Sequence, residues 1–304
     1  MRPEIQEAID LLRTRDPKGH DRVLELIQQT VFSFSMKVCG HREDAEDTSQ
    51  EVLFKATEHL PKLEDPGGLT SWLYTVAKNT CLMKRRRTKS APRKMLSLEE
   101  LMPDANGLEA PEGAVPDSPE HSILREEEAE RVRHAILQIP PQYRLILVLH
   151  DMEELSTTDV ARITGLSENT VRVRLHRARL FARRELAGSR QSENSAARSA
   201  KSKRKARRQE RPASCHEMFA ALSDYLDERL DDSVCAELEK HMSGCVPCQA
   251  FMQDLKLTIR EISSYKSESL DRNAAAAIRR IVLQKYEAAL KRSKAVAQPQ
   301  ESAG

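Results

Sequence analysis

His241, Cys245 and Cys248 stand in the pattern H-x3-C-x2-C. Imidazole nitrogen and thiolate sulfur are the donors that tetrahedral zinc favours, and a closed site needs four of them. Cys215 would complete C-x25-H-x3-C-x2-C and is the first choice for the fourth ligand; His216 would complete H-x24-H-x3-C-x2-C and is the alternative. On a helix, His241 and Cys245 fall one turn apart on one face, and Cys248 can close the knot from the next turn. Cys235, on the helix leading to His241, is expected to be a small buried side chain. A catalytic zinc keeps one position open beside a general base. The chain has no H-E-x-x-H, no H-x-E with P-C-x-x-C and no phosphate-cradling Gly-rich loop, so a structural or sensory zinc is expected and an enzyme is not.

A second constellation precedes it: "LSTTDVARITGLSENTVRVRLHRARLFARR", residues 155–184. Ser156 is placed to N-cap a helix, with Asp159 three residues on; Gly165 suits a tight turn, and Ser167 caps the next helix. With "QYRLILVLHDM" as a supporting helix, this reads as a helix-turn-helix. Val171, Leu175 and Ala178 recur at core spacing. That leaves Asn169, Thr170, Arg172, Val173, Arg174, His176 and Arg177 facing outward, types suited to base edges and phosphates in a major groove.

The elements that position these groups are helical by composition. Aromatics are 4% of the 304 residues and charged residues 32%, with abundant Ala, Leu, Glu, Lys and Arg. An all-α chain of several small domains is expected. The net charge of +2 excludes a uniformly basic binder, so the charge that matters is segregated. The start of the chain mixes charges and carries no secretory signal, and no apolar run approaches the roughly 20 residues of a membrane helix. The reading is therefore a soluble, cytoplasmic protein with no membrane contact, whose six cysteines stay reduced.

Residues 1–90 read as amphipathic helices, with Val23, Ile27, Val31, Phe34 and Val38 on one stripe and Leu69, Leu73, Val76, Ala77 and Thr80 on another. Residues 91–120 hold five of the 14 prolines and many acids, a flexible linker. Helical pattern returns over 121–188, and 189–212 is a basic flexible linker whose charges are expected to be solvated. Residues 213–263 form a compact helical unit around the Cys/His cluster. Residues 264–304 comprise an amphipathic helix, with Ile278, Ile281, Val282, Tyr286 and Leu290 along one side, and a disordered tail.

Three blocks carry a family resemblance. "HREDAEDTSQEVLFKATEHL" with "GGLTSWLYTVAKNTCLMKRRR" resembles domain 2 of the extracytoplasmic-function class of bacterial sigma factors. "IPPQYRLILVLHDMEELSTTDVARITGLSENTVRVRLHRARLFARREL" resembles its domain 4. "CHEMFAALSDYLDERLDDSVCAELEKHMSGCVPCQAF" resembles the zinc-binding anti-sigma domain, which usually occurs as a separate protein. The resemblance implies that Asp44, Glu46, Asp47, Gln50 and Glu51 dock on core RNA polymerase. It implies that Trp72, Asn79, Lys84, Arg85, Arg86 and Arg87 hold the opened −10 element, although Trp72 also fits a core position. Domain 4 would then read the −35 element of promoter DNA. Anti-sigma domains cover such surfaces, and some release them when their thiols are oxidised. Here the two modules share one chain, and a tether of about 25 residues would give an effective concentration in the mM range, favouring intramolecular contact with the sigma domains. Two alternatives stand beside this regulated sigma factor: a zinc domain that only docks a partner, and a plain helix-turn-helix regulator.

Overall fold

The computed structural model describes residues 2–14, 19–63, 65–87, 101, 121–197 and 221–296. In chain order the helices are α1 (Pro3–Thr14), α2 (Gly19–Cys39), α3 (Arg42–His59), α4 (Leu69–Arg87), α5 (His121–Gln138) and α6 (Pro141–Leu147). There follow α7 (Thr157–Thr164), α8 (Glu168–Ala197), α9 (Asp232–Gly244), α10 (Val246–Ser264) and α11 (Arg272–Val296). Among the described residues there is no strand, so the architecture is all-α. Contacts divide the chain into two compact units: Met1–Ser90 with Ser267–Gly304, and Ala91–Lys266.

In the first unit, α1 buries Ile5, Ala8 and Ile9, the i, i+3, i+4 set that a helix places on one face. Its neighbour α2 is the centre of the unit. The expected stripe Val23, Ile27, Val31, Phe34 and Val38 is buried, and Phe32 and Met36 bury a second face. Gly40, with φ of 80°, ends α2 in the left-handed conformation that glycine adopts without strain. The chain then returns as α3, which buries Ala45, Val52, Leu53 and Ala56. Asp65 accepts a hydrogen bond from Gly67 N at 2.9 Å and sets the turn into α4. The Phe34 and Tyr74 rings lock α2 to α4 edge-to-face, with centroids 5.3 Å apart.

The terminal helix α11 belongs to this unit. Asp271 caps it by accepting from the backbone N–H groups of Asn273 and Ala274, both at 3.1 Å. Leu270 and Ala275 are buried with Phe32, Met36 and Ala45, and Ile278 packs against that cluster. Ser267 Oγ donates to Ser33 Oγ at 2.9 Å, Gln28 Nε2 to the Ala275 carbonyl at 3.1 Å, and Arg279 to Gln28 Oε1 at 2.9 Å. The buried stripe is narrower than the sequence suggested. Val282 is 2% exposed but Ile281 is 39% exposed, because the face is Ala275–Ile278–Val282 at i, i+3, i+7 and Ile281 falls beside it. The side chains of Tyr286 and Leu290 lie outside the described residues.

In the second unit, α6 continues through a wider helical turn at Val148–Met152. The Arg144 guanidinium, 4% exposed, caps the end of α5 by donating to the carbonyls of Leu137 (2.6 Å) and Ile139 (3.0 Å). Helix α7 opens at Ser156, whose Oγ accepts from Asp159 N at 3.1 Å, and closes at Gly165 with φ of 73°. Thr170 N donates to Ser167 Oγ at 3.3 Å and starts α8, which buries Val171, Leu175 and Ala178 as expected. That helix does not stop at the expected boundary of 188 but continues to Ala197, since Gly188 alone lacks the turn partners that end a helix. Helix α10 packs on α8, α5 and the Val148–Met152 turn. It buries Phe251, Met252, Leu255 and Ile262, each stabilising by about 1.5–3 kcal/mol relative to exposure.

Candidate metal centre and nucleic-acid interface

The metal knot forms at the joint between α9 and α10. His241 lies in the last turn of α9, Cys245 is the single residue between the helices, and Cys248 lies in the first turn of α10. The Cys248 N–H donates to the Cys245 carbonyl at 3.1 Å, which tightens the joint. One donor atom from each of the three lies within 4.8 Å of the others, and His241 Nε2 is 3.4 Å from Cys248 Sγ. Ligands on a tetrahedral zinc stand about 3.6 Å apart for N and S and about 3.8 Å for S and S. The half-buried triplet therefore fits one ion. Cys215 and His216 lie outside the described residues. Cys235 is half-buried rather than fully buried, and its thiol faces the Leu230 carbonyl at 3.7 Å.

On α8 the outward residues separate into two groups. Asn169, Arg172 and Val173 are exposed, with Val173 at 52%; Arg172 stands 3.7 Å from Glu168. Thr170, half-buried, shares its hydroxyl with Ser167 at 2.8 Å. Arg174 and Arg177 are also half-buried, and Arg177 donates to the Tyr143 hydroxyl at 3.2 Å. His176 departs from the sequence expectation. It is 8% exposed, with Nδ1 2.8 Å from Ser223 Oγ, because residues from beyond the basic stretch cover this side of the helix. Burial, then the charges of Arg179 and Arg177, lower its pKa to about 4.

Sequence reasoning missed the two arginines that follow. Arg179, 2% exposed, donates to both oxygens of Asp151 (2.9 and 2.7 Å) and both of Asp227 (3.1 and 2.8 Å). Burial by itself would raise the Asp151 pKa; the adjacent Arg179 charge and hydrogen bonds outweigh it and hold the carboxyl well below the usual range. Arg183 forms a 3.0 Å ion pair with Asp254 of α10 and lies 4.4 Å over the Phe251 ring. The signal for both was their i, i+4 and i+8 spacing from Leu175, on the side of α8 that apolar residues bury. Nothing local marks the partner carboxylates.

In the first unit the acidic residues of α3 share its sides with the α11 contact. Glu46 pairs with Arg42 at 2.8 Å, and Arg42 also reaches Glu268 at 3.3 Å. Glu51 pairs with Lys55 at 2.7 Å. Asp47 is exposed, whereas Asp44 and Gln50 are half-buried. Ala45, between Asp44 and Glu46, is in the cluster with Leu270 and Ala275. Trp72 is half-buried and stacks on His59, with centroids 4.4 Å apart and planes 7° off parallel. Asn79 is exposed. The side chains of Lys84, Arg85, Arg86 and Arg87 lie outside the described residues, as does any side chain of the 91–100 stretch. No helix of the described residues is long and apolar enough to cross a membrane.

Parts of the chain are similar to known proteins. Residues 24–91 match the family Sigma-70 region 2, residues 129–181 match Sigma-70, region 4, and residues 215–249 match the family described as "Putative zinc-finger". The ECF RNA polymerase sigma factor SigW of Bacillus subtilis is 25% identical over 184 residues, 60% of this chain and 96% of SigW. RNA polymerase sigma factor YlaC of the same organism is 27% identical over 179 residues, 58% of this chain and 98% of YlaC. Among solved structures, a chain of the complex of sigma factor RpoE with the anti-sigma factor NepR from Bartonella quintana matches at 20% identity. Its TM-score is 0.40, over 56% of this chain and 97% of that one. The chain thus joins sigma-70 region 2 and region 4 domains, homologous to those of the ECF sigma factors, to a C-terminal zinc-finger domain of anti-sigma-like type.

Proposed function

We propose that this chain is a sigma factor that directs core RNA polymerase to promoters and is restrained by its own C-terminal segment. Region 2 docks on polymerase through Asp44, Glu46, Asp47, Gln50 and Glu51. It holds the opened −10 strand with Trp72, Asn79 and the run Lys84 to Arg87. Region 4 reads the −35 element with Asn169, Thr170, Arg172, Arg174 and Arg177, and His176 joins that set only on release. The metal is one zinc ion, held by His241, Cys245, Cys248 and Cys215, with His216 the alternative, and it fixes α9 against α10 so that α10 keeps its seat. Loss of the thiolate ligands by oxidation would loosen that seat.

The observation that carries the restraint is the Arg179 fork, which ties α8 to Asp227 outside region 4. It is supported by α11, which in the other unit occupies a face of α2 and α3 beside the docking carboxylates. The first turns of α8 stay open, so the restraint acts on polymerase engagement more than on the bases. The test is affinity for core polymerase, comparing the zinc-loaded full chain with a chain ending at residue 197. Tighter binding by the shorter chain is expected. Equal binding would sink the restraint and leave the zinc domain as a docking module.

A further inference from the structure

Two cysteines of the first unit take no part in the metal knot. Cys39 is the last residue of α2 and is half-buried; Cys81 lies in α4 and is 1% exposed. Helices α2 and α4 pack together, and the Cys81 thiol reaches α2 at Ser35. It donates to Ser35 Oγ at 3.5 Å, and Ser35 precedes Cys39 by four residues, one turn along the same face. The Cys39 thiol hydrogen-bonds Cys81 and is the largest of the influences that bring the Cys81 pKa down, against opposing burial. A third contact reaches α3: Cys81 Sγ is 3.8 Å from Thr48 Oγ1, and Thr48 donates to the Asp44 carbonyl at 2.7 Å. A buried thiol, its neighbour thiol and the polymerase-docking segment of α3 thus form one connected group.

We propose that Cys39 and Cys81 are a redox dithiol, oxidised by hydrogen peroxide to an intramolecular disulfide that ties α2 to α4 beneath α3. The half-buried Cys39 sulfur attacks one peroxide oxygen, the O–O bond breaks, and the products are a sulfenic acid and one water. The Cys81 sulfur then attacks Cys39 Sγ. The S–S bond forms as the S–O bond breaks, and a second water carries away the oxygen with the Cys81 proton. The two sulfurs supply the two electrons that reduce the peroxide. The disulfide removes the Cys81 S–H from Ser35 and shifts its sulfur under Thr48, so the site has its own route to the docking face, independent of the zinc ligands. That consequence rests on the reading of α3 as the polymerase-docking helix.

The test uses the full zinc-loaded chain exposed to graded hydrogen peroxide. Thiols are then blocked under denaturing conditions, and peptide masses are read before and after reduction. A cross-link between the Cys39 and Cys81 peptides is expected, reversed by reductant, with C81A halting Cys39 at a sulfenic acid that dimedone traps. Cys39 reaching a sulfinic acid, or bonding to a knot cysteine, while Cys81 stays reduced overturns the dithiol. Circular dichroism of C39S and C81A separates misfolding from lost chemistry, and the wild-type cross-link is read without any substitution. In the full chain carrying Cys245→Ser and Cys248→Ser, which lacks the knot thiols, the oxidised form should bind core polymerase about five- to tenfold more weakly than the reduced form. Unchanged affinity in the presence of the cross-link overturns the link to α3 and leaves the dithiol standing.

Discussion

Asp227 sets both carboxylate oxygens on Arg179, at 2.8 and 3.1 Å, although Arg179 already donates to both oxygens of Asp151. The arginine is 2% exposed, and a lone charge there would be costly. Asp151 meets most of that cost within region 4 itself. Asp227 therefore adds a second carboxylate to a charge that Asp151 already pairs, so it acts as a latch and not as a pillar. The apolar seam of Phe251, Met252, Leu255 and Ile262 supplies most of the adhesion, and the ion pairs set its register.

Asp227→Asn should accordingly loosen the C-terminal domain without unfolding region 4. The change removes one charge and keeps the shape, so docking should weaken by about 1.5–3 kcal/mol, the range for a hydrogen bond to a charged group. Faster amide exchange in α10 and tighter binding to core polymerase are the readouts. Asp151→Asn should behave differently. It leaves Arg179 short of its intradomain partner and should lower the melting temperature.

His176 gives the latch a pH dependence. Buried against Ser223 beside Arg177 and Arg179, it is neutral when docked, with its pKa lowered to about 4 from the ordinary 6.5. A depressed histidine contributes its full stability above pH 6.5. Between 6.5 and 4 the undocked form takes up a proton that the docked form refuses, and the contribution is lost. Arg177 and Arg179 stay beside His176 in either form, so docking contributes only the burial part of the shift, at most about 3 kcal/mol over the whole window. Asp151 adds no step in this window, because the Arg179 charge and hydrogen bonds hold its carboxyl well below the usual range. Amide exchange in α10 measured from pH 7.5 to 5 should show progressive undocking, and His176→Gln should flatten the profile.

Legibility in the sequence followed locality. The stripe of α2, the caps at Ser156 and Ser167, the Gly165 turn and the His241–Cys245–Cys248 triplet depend on residues a few positions apart, and spacing reveals them. The covering of His176 depends on Ser223, 47 residues away, and the Arg279–Gln28 contact spans 251. No local period encodes such pairs. Arg179 and Arg183 look like two more solvated basic residues until the carboxylates that neutralise them are brought alongside. Ile281 misled for a simpler reason: a helical face only a few residues wide can be drawn through either of two neighbours.

The knot itself predicts a sharp cysteine pattern. Cys245→Ser or Cys248→Ser should lose bound zinc, with an affinity drop beyond the roughly 10–100-fold typical of an outer-shell change. Cys235→Ser should keep its metal, since that thiol faces the Leu230 carbonyl. Comparing Cys215→Ser with His216→Ala by zinc content per chain assigns the fourth ligand. The metal-free chain should lose order first at the α9–α10 joint, where Cys245 is the single residue between two helices.

The open turns of α8 carry the last prediction. Arg172 and Val173 project from the exposed part of the helix, one offering a bidentate fork and the other two methyl groups. In a major groove the fork suits guanine O6 and N7, and the methyls suit the thymine C5 methyl. Arg172→Ala should weaken −35 binding by about 1–3 kcal/mol and relax the preference at one base pair. Val173→Ala should lose less, and the loss should vanish on DNA in which uracil replaces the contacted thymine. Both effects should appear in the full chain as well as in one ending at residue 197, because the C-terminal domain covers His176 and Arg179 but leaves Val173 exposed. DNA binding seen only in the shorter chain would show instead that the restraint extends to the bases.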